Sequence, residues 1–341
     1  MGTGIFWAAF AMFGATTGSI LSGAVIERIR VSAFLILTVF LGSVVWILAG
    51  AWGWHPDGWL LTDLGYHDVG ASGVVHAVAG FFTLGVLINL GPRVGKFING
   101  VAQTIAPHSL PMTLIGLMMI IFGFFGFLGG CIIFNGGETG WTTIYGNPTN
   151  LSAFAFNTLM GFAGGVIGCY IASRDPFWTM SGGLVGIISV AAGLDLYDPE
   201  LAFIIAVVTG VLAVKFAKLI ENFGIDDAVG AVSVHGFTGV WAVFLVGVFA
   251  DGMPNVGDLP EISLMGQTIG AIVMAAVGFI PGYGISLILK KANALRVPKE
   301  AEELGLDEVE IIAKPYPEVH GVPAVTSSDV PNKLANSEPG V

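Results

Sequence analysis

Nine apolar stretches, each close to the length that crosses a bilayer, dominate the chain. They run over about 3–26, 33–52, 70–91, 109–134, 150–172, 178–194, 200–220, 227–250 and 264–290. About 20 apolar residues span the roughly 30 Å of hydrocarbon in a membrane. Only helices and closed barrels can cross it, because no water is present there to satisfy the backbone. Stretches this long and continuous read as helices. The expected fold class is therefore an all-α membrane protein, a polytopic bundle of about nine transmembrane helices. Composition closes the alternatives. Only 11% of the 341 residues are charged, against about 25% in a soluble domain. That is too little to cover a water-soluble enzyme. Glycine is abundant, at 50 residues, as close helix packing in lipid demands. The net charge of −11 argues against a nucleic-acid partner. Cys131 and Cys169 each lie within an apolar stretch and make no disulfide framework.

Two parts follow. Residues 1–291 form the membrane domain. Residues 292–341 are charged and proline-rich and read as a soluble extension, helical near 298–304 and loose after about 315. The 13 Lys and Arg residues set the topology. They follow the first, third, fifth, seventh and ninth helices, beginning with Arg28 and Arg30, and all fall on one side. The opposite loops hold none, and carry Asp57, Asp63, Asp68, Glu138, Asp195 and Asp251 instead. Basic loops stay in the cytoplasm, so the N-terminus is placed outside and the tail inside a cell membrane. The acidic outer loops have two readings, ordinary surface composition or a field that gathers cations at an outer vestibule.

An internal repeat is the sharpest feature. The third helix begins Asp68-Val-Gly-Ala-Ser-Gly-Val-Val-His76-Ala-Val-Ala-Gly80, and the eighth begins Asp227-Ala-Val-Gly-Ala-Val-Ser-Val-His235-Gly-Phe-Thr-Gly239. Both run Asp, seven residues, His, and Gly four later. One helix starts outside and the other inside, so the repeat is inverted, a plan common among transporters. Eight residues at about 1.5 Å each place either histidine about 12 Å from its own face. In a core of about 30 Å both approach the midplane from opposite sides. An ionisable group there marks a functional site; the alternative is two separate histidines, each hydrogen-bonded in a helix interface. A metal site is not expected, since two histidines without a third ligand make a poor one, and no cofactor is expected. The half ending at the eighth helix has five helices, and the half ending at the third has three. The expectation is that two N-terminal helices of that repeat are lacking. Were those helices absent from the working protein, a pore at the repeat junction would fail to close against lipid, leaving the chain unstable or inactive.

These residues resemble a known family. The pattern Asp68 to Val74-Val75-His76, the run Pro107-His108-Ser109-Leu110-Pro111, the stretch Gly123 to Gly130 and Val234-His235-Gly236 are together similar to the ammonium transporter (Amt/Mep/Rh) family. So are Gly23 to Arg28 and the pair of segments Leu295-Arg296-Val297-Pro298 and Gly305-Leu306-Asp307. The resemblance covers about residues 5–310. It implies an eleven-helix inverted-repeat fold, of which this chain supplies helices three to eleven, and a homotrimer with one pore per subunit. It implies that His76 and His235 are the paired pore histidines. Phe13 and Phe127 take the place of the phenylalanine gate; phenylalanine is also simply common here, at 24 residues. Trp54 and Cys131 match the outer ammonium site. Otherwise Trp54 is an interfacial aromatic, and Cys131 a small buried residue where the family usually has Ser. A thiol accepts more weakly than a hydroxyl. Asp68 caps the third helix and supports that site from behind, and Asp226 and Asp227 are expected to cap the eighth. Ser109 with Pro111 reads as a helix start, His108 as loop, and Glu27 and Arg28 as anchors of the first helix.

The function expected is channel-like transport of ammonium or ammonia, rather than enzymatic. A bare ion is very expensive in an apolar path, so the proton leaves near the entrance or travels separately. Imidazoles, with an unperturbed pKa near 6.5, suit that task. Other readings are an Rh-like facilitator of neutral ammonia or CO2, and an ammonium sensor with a regulatory tail. The resemblance also implies a PII-type regulatory partner on the cytoplasmic side.

Overall fold

The computed structural model describes residues 2–131, 141–255 and 258–311. Two compact units divide the chain at Val297. In the first unit α1 (Gly2–Val25) is followed by α2 (Val31–Phe40), which passes through a π-helical turn at Leu41–Val45 into α3 (Trp46–Gly53). The short α4 (Trp59–Leu64) leads to a second π turn at Ser72–Ala77 and α5 (Val78–Leu90). A two-residue ribbon, β1 (Phe97–Ile98) and β2 (Val101–Ala102), precedes α6 (Leu110–Cys131). A second ribbon, β3 (Trp141–Thr142) and β4 (Pro148–Thr149), precedes α7 (Leu151–Ser173) and α8 (Pro176–Ala191). Then come α9 (Pro199–Asn222), a third π turn at Val232–Phe237, α10 (Thr238–Phe249) and α11 (Leu264–Lys291).

Helix starts follow local chemistry. Asn150 accepts from the Ser152 and Ala153 amides at the start of α7. Asp175 accepts from the Trp178 amide with Pro176 in the first position of α8. Ser263 accepts from the Gly266 amide before α11. Each satisfies a donor that the first turn leaves free. At α6 the Met112 amide reaches the Ser109 hydroxyl, with Pro111 where its missing N–H costs nothing.

Among the described residues, eight helical spans are long and apolar enough to cross a membrane. The stretch expected at 178–194 forms α8, which is shorter at 16 residues. Beyond Ala191 the chain turns, and the Tyr197 amide closes back on the Gly193 carbonyl. The spans differ in enclosure. Ser72–Leu90 is 83% buried, whereas α6 is 17% buried and turns Met119, Phe122 and Met112 outward. The helix that carries His76 therefore lies at the centre of the bundle, and α6 borders it.

The first unit ends later than residue 291. Leu295 accepts from the Arg30 amide at 3.0 Å, and the Val297 amide donates to the Arg28 carbonyl at 3.1 Å. This bridge ties 295–297 to the segment after α1. Taken by itself, the second unit starts with α12 (Lys299–Leu304), whose Lys299 and Glu303 pair at 3.4 Å, and α13 (Leu306–Val309). Glu138, residues 132–134 and the tail beyond 311 lie outside the described residues.

Candidate functional site

The two repeat-related histidines sit on π turns. The His76 amide reaches back five residues to the Ala71 carbonyl at 3.2 Å, and His235 lies in the matching turn before α10. A π turn inserts one extra residue into a helix, and such bulges gather at functional sites. Each turn is introduced by a left-handed residue at the same repeat position, Ala71 (φ 69°) and Gly230 (φ 73°). Each is capped by the repeat-related aspartate. Asp68 accepts from the Gly73 and Val74 amides at 2.8 and 2.9 Å, and Asp227 from the Ala231 and Val232 amides at 2.9 and 2.7 Å. Asp68 reaches forward to these amides from ahead of the left-handed residue, so it acts as a cap without occupying the first flanking position.

Glycine lets the halves meet. A Cβ on Gly80 would stand 2.1 Å from the Gly236 nitrogen, and one on Gly239 would stand 2.6 Å from the Ala77 nitrogen. Both contacts are related by the repeat offset that relates the histidines. The backbones touch here, and the rings come together. His76 and His235 share a hydrogen bond, Nδ1 to Nδ1, at 3.0 Å, with ring centroids 5.1 Å apart. In a neutral pair one Nδ1 donates and the other accepts. Nε2 of His76 is buried with no hydrogen-bond partner among the described residues.

Aromatic rings cover this pair on one side. Phe127 lies 5.9 Å from His76 and 4.6 Å from Phe13, edge to face. Phe13 meets Trp54 at 5.2 Å, again edge to face. The Trp54 indole N–H donates to the Asp68 carbonyl at 2.8 Å. Five of the residues singled out from sequence thus form one line: His235, His76, Phe127, Phe13 and Trp54, with Asp68 behind the last. Cys131 is buried at the end of α6, and its thiol points back to the Phe127 carbonyl at 3.4 Å. Burial raises the Asp68 pKa above the usual carboxylate range, against the amides of Val74 and Gly73, which lower it.

Sequence reasoning missed several neighbours. Phe124 stacks on His76 at 5.9 Å; it sits one turn before Phe127, a spacing that puts both on one helix face. Phe10 and Trp46 extend the cluster around Phe13. Tyr66 donates its hydroxyl to Asp68 at 3.3 Å. Nothing local in the sequence marks these last contacts. One expectation needs correction. Asp227 caps the eighth predicted helix, but Asp226 does not. Its carboxylate accepts from the Arg93 backbone amide and guanidinium, and Arg28 stands 3.8 Å away. A fully buried Arg28 outweighs any demand of the helix end. Arg28 and Glu27 do hold the end of α1: Arg28 donates to the Gly91 and Asp226 carbonyls, and Glu27 accepts from Arg93.

No group of three His, Cys, Asp or Glu side chains that could hold a metal occurs among the described residues. The aromatic line, the histidine pair and the inverted repeat can be set beside known proteins. A profile described as Ammonium Transporter Family matches residues 1–316. The chain belongs to this family. It is 32% identical over 320 residues to ammonium transporter Amt1 of Methanocaldococcus jannaschii, covering 92% of this chain and 78% of that protein. With Amt2 of the same organism it shares 33% over 317 residues, covering 92% and 70%. Among solved structures, one titled Sensor Amt Protein superposes with a TM-score of 0.77 at 30% identity, covering 87% of this chain and 74% of that one. Nitrosomonas europaea Rh50 superposes at 0.70 with 22% identity, covering 92% and 76%; at that identity the likeness concerns the fold alone. The family fold is thus that of a multi-pass membrane transporter.

Proposed function

We propose that this family member conducts ammonium or ammonia as a channel, past His76 and His235. The observation that carries the reading is the 3.0 Å bond between the two Nδ1 atoms at the repeat junction, with Nε2 of His76 buried and unpartnered. Ammonium carries four N–H donors. At the outer mouth the face of Trp54 offers a cation about 0.5–2 kcal/mol, with Cys131 as a weak second group and Asp68 fixing the indole. Phe13 and Phe127 form the gate below it. An apolar passage of this kind rejects a bare charge, so the proton is surrendered at the mouth. With both Nδ1 atoms taken by their shared bond, the imidazole pair offers ammonia a lone pair at one Nε2 and a donor at the other, and supplies a route along which a proton can follow. Neither histidine needs to hold a charge for this, since a neutral imidazole both donates and accepts.

The asymmetry of basic residues supports an outside N-terminus and a cytoplasmic tail. The family resemblance supports assembly as a homotrimer and control by a PII-type protein. A mass measurement of the detergent-solubilised protein tests the first, and co-purification tests the second. A sensor with a regulatory tail is a second reading. It draws on the likeness to the structure titled Sensor Amt Protein.

The test is ammonium-evoked current and uptake in proteoliposomes, comparing wild type with the His76→Ala, His235→Ala double variant. The expected result is an ammonium-specific current in wild type that the double variant loses. Uptake without current would move the chain to the neutral facilitators. Current that survives in the double variant would overturn the histidine route.

A further inference from the structure

The loop before the pore helix holds three consecutive buried polar residues, Tyr66, His67 and Asp68. Asp68 belongs to the site already described. His67 has no part in that site, yet all its polar groups are taken, and all by residues 128 or more positions further along the chain. Its amide donates to Gln267 Oε1 at 3.1 Å, and its carbonyl accepts from Gln267 Nε2 at 2.7 Å. Its Nε2 lies 3.0 Å from Asp195 Oδ1, and its Nδ1 lies 3.4 Å from Asn255 Oδ1. The Asn255 amide group is turned toward the Gly65 carbonyl, to which Nδ2 donates at 3.2 Å. Both ring nitrogens of His67 therefore face oxygen acceptors. A neutral imidazole can donate from one nitrogen only. The arrangement is satisfied in full when the ring is an imidazolium.

The backbone next to this ring is wired to the site. The Val69 and Gly70 amides donate to the Ala192 and Ala191 carbonyls. The Asp68 carbonyl receives the Trp54 indole, and the Asp68 carboxylate receives the first amides of the π turn that carries His76. We propose that protonated His67, clamped between Asp195 and Asn255, is a positioning residue that holds Asp68 under Trp54 and makes ammonium recruitment depend on pH. This rests on the transport reading above. His67 touches no conducted species; it acts through Asp68 and Trp54.

The titratable groups facing the ring are Asp195 across the bond and Asp68 next along the chain; Asn255 and Gln267 bring no charge. Burial lowers the His67 pKa, but the charge and hydrogen bond of Asp195, joined by Asn255 and Asp68, outweigh it and raise the value above 6.5. The sign follows. A histidine with a raised folded value stabilises fully below its ordinary pKa, and that stabilisation is lost as pH rises through the raised value. Recruitment is therefore tightest in acidic medium and weakens as pH rises through the raised value.

The experiment measures uptake in proteoliposomes at fixed ammonium-ion concentration between about pH 5.5 and 8, across the range where histidines titrate. It compares wild type, His67→Gln, Asp195→Asn and Asp195→Glu, with a thermal melt of each. The expected result is a half-saturation concentration raised about tenfold in His67→Gln and Asp195→Asn. The maximal rate changes little, the pH dependence flattens, and Asp195→Glu recovers both. Variants that melt lower but keep the wild-type half-saturation and its pH dependence would overturn the proposal, leaving a structural pair. A second readout does not need transport. Trp54 emission, taken as the difference from Trp54→Phe, should shift with pH in wild type and not in His67→Gln. If wild type moves no ammonium but the emission shifts, the transport reading has failed and the positioning role stands; if the emission is insensitive to pH in wild type, the positioning role fails.

Discussion

At the scale of single residues, Asp226 and Asp227 are neighbours with opposite duties. Asp226 receives three hydrogen bonds from Arg93 and faces Arg28, a guanidinium with no exposed surface. Burial would raise its pKa, but the Arg93 hydrogen bonds and the Arg28 charge outweigh it and hold it below the usual value. Burial also brings Arg28 down to about 10. Burial pushes Asp227 up to about 6, against the Val232 and Ala231 amides and the Arg28 charge, which lower it. The signs differ accordingly. The Asp226 contribution is present at neutral pH and is lost as pH falls through its depressed value. The Asp227 contribution is present in acid and is lost as pH rises through about 6. Asp226→Asn strands the Arg28 charge and should cost about 3–5 kcal/mol at neutral pH. Asp227→Asn keeps an acceptor and removes a titration. Melts in detergent from about pH 5 to 7.5 should show wild type losing about 1.4 kcal/mol, the worth of one pKa unit, and Asp227→Asn staying level. An Asp226→Asn protein that melts with wild type would show that Arg28 finds its compensation elsewhere.

At the scale of elements, the π turns before α5 and α10 explain what a sequence reading could and could not see. Hydropathy finds the helices because lipid demands apolar length, and the shared Asp, His and Gly spacing finds the histidine pair. An inserted residue leaves hydropathy unchanged, so the turns themselves leave no trace. The straight-helix estimate still placed the rings together, because both halves carry the same insertion. Phe124 was hidden among many phenylalanines, and Asp195 lies 128 residues from its partner His67. Only the fold brings such pairs together. The left-handed residue that opens each turn supplies a test. Gly230→Ala would set a Cβ 2.6 Å from the Trp178 ring at φ 73°, and should destabilise by about 1–3 kcal/mol. Ala71→Gly occupies the matching place, where relief of strain is set against lost chain stiffness and a lost methyl. It should change stability by less than about 1 kcal/mol. Denaturant or thermal midpoints of the two variants check this. Equal losses would mean that the Trp178 contact does not set the cost at Gly230.

At the scale of the whole molecule, the site is one contact made twice. Gly80 of the first half lies on Gly236 of the second, and Gly239 of the second lies on Ala77 of the first. Neither half can move away from the other at one glycine without opening the gap at its mate. A Cβ at Gly80 would fall 2.1 Å from the Gly236 nitrogen, and a Cβ at Gly239 would fall 2.3 Å from the Ser72 carbonyl oxygen. Each lies far inside van der Waals contact and meets backbone, which cannot swing aside as a side chain can. Gly80→Ala and Gly239→Ala should therefore each cost about 1–3 kcal/mol and should lengthen the 3.0 Å imidazole bond, cutting transport in both. The double variant decides whether one junction is being tested or two. Separate sites add to within about 0.3–0.5 kcal/mol, whereas sites sharing a backbone shift couple by more. Once the first alanine has pushed the halves apart, the second has room, so the double variant should cost less than the two single losses together. Strict additivity in the melts, with transport surviving in either single variant, would show that the halves adjust locally and that the histidine bond does not depend on their close approach.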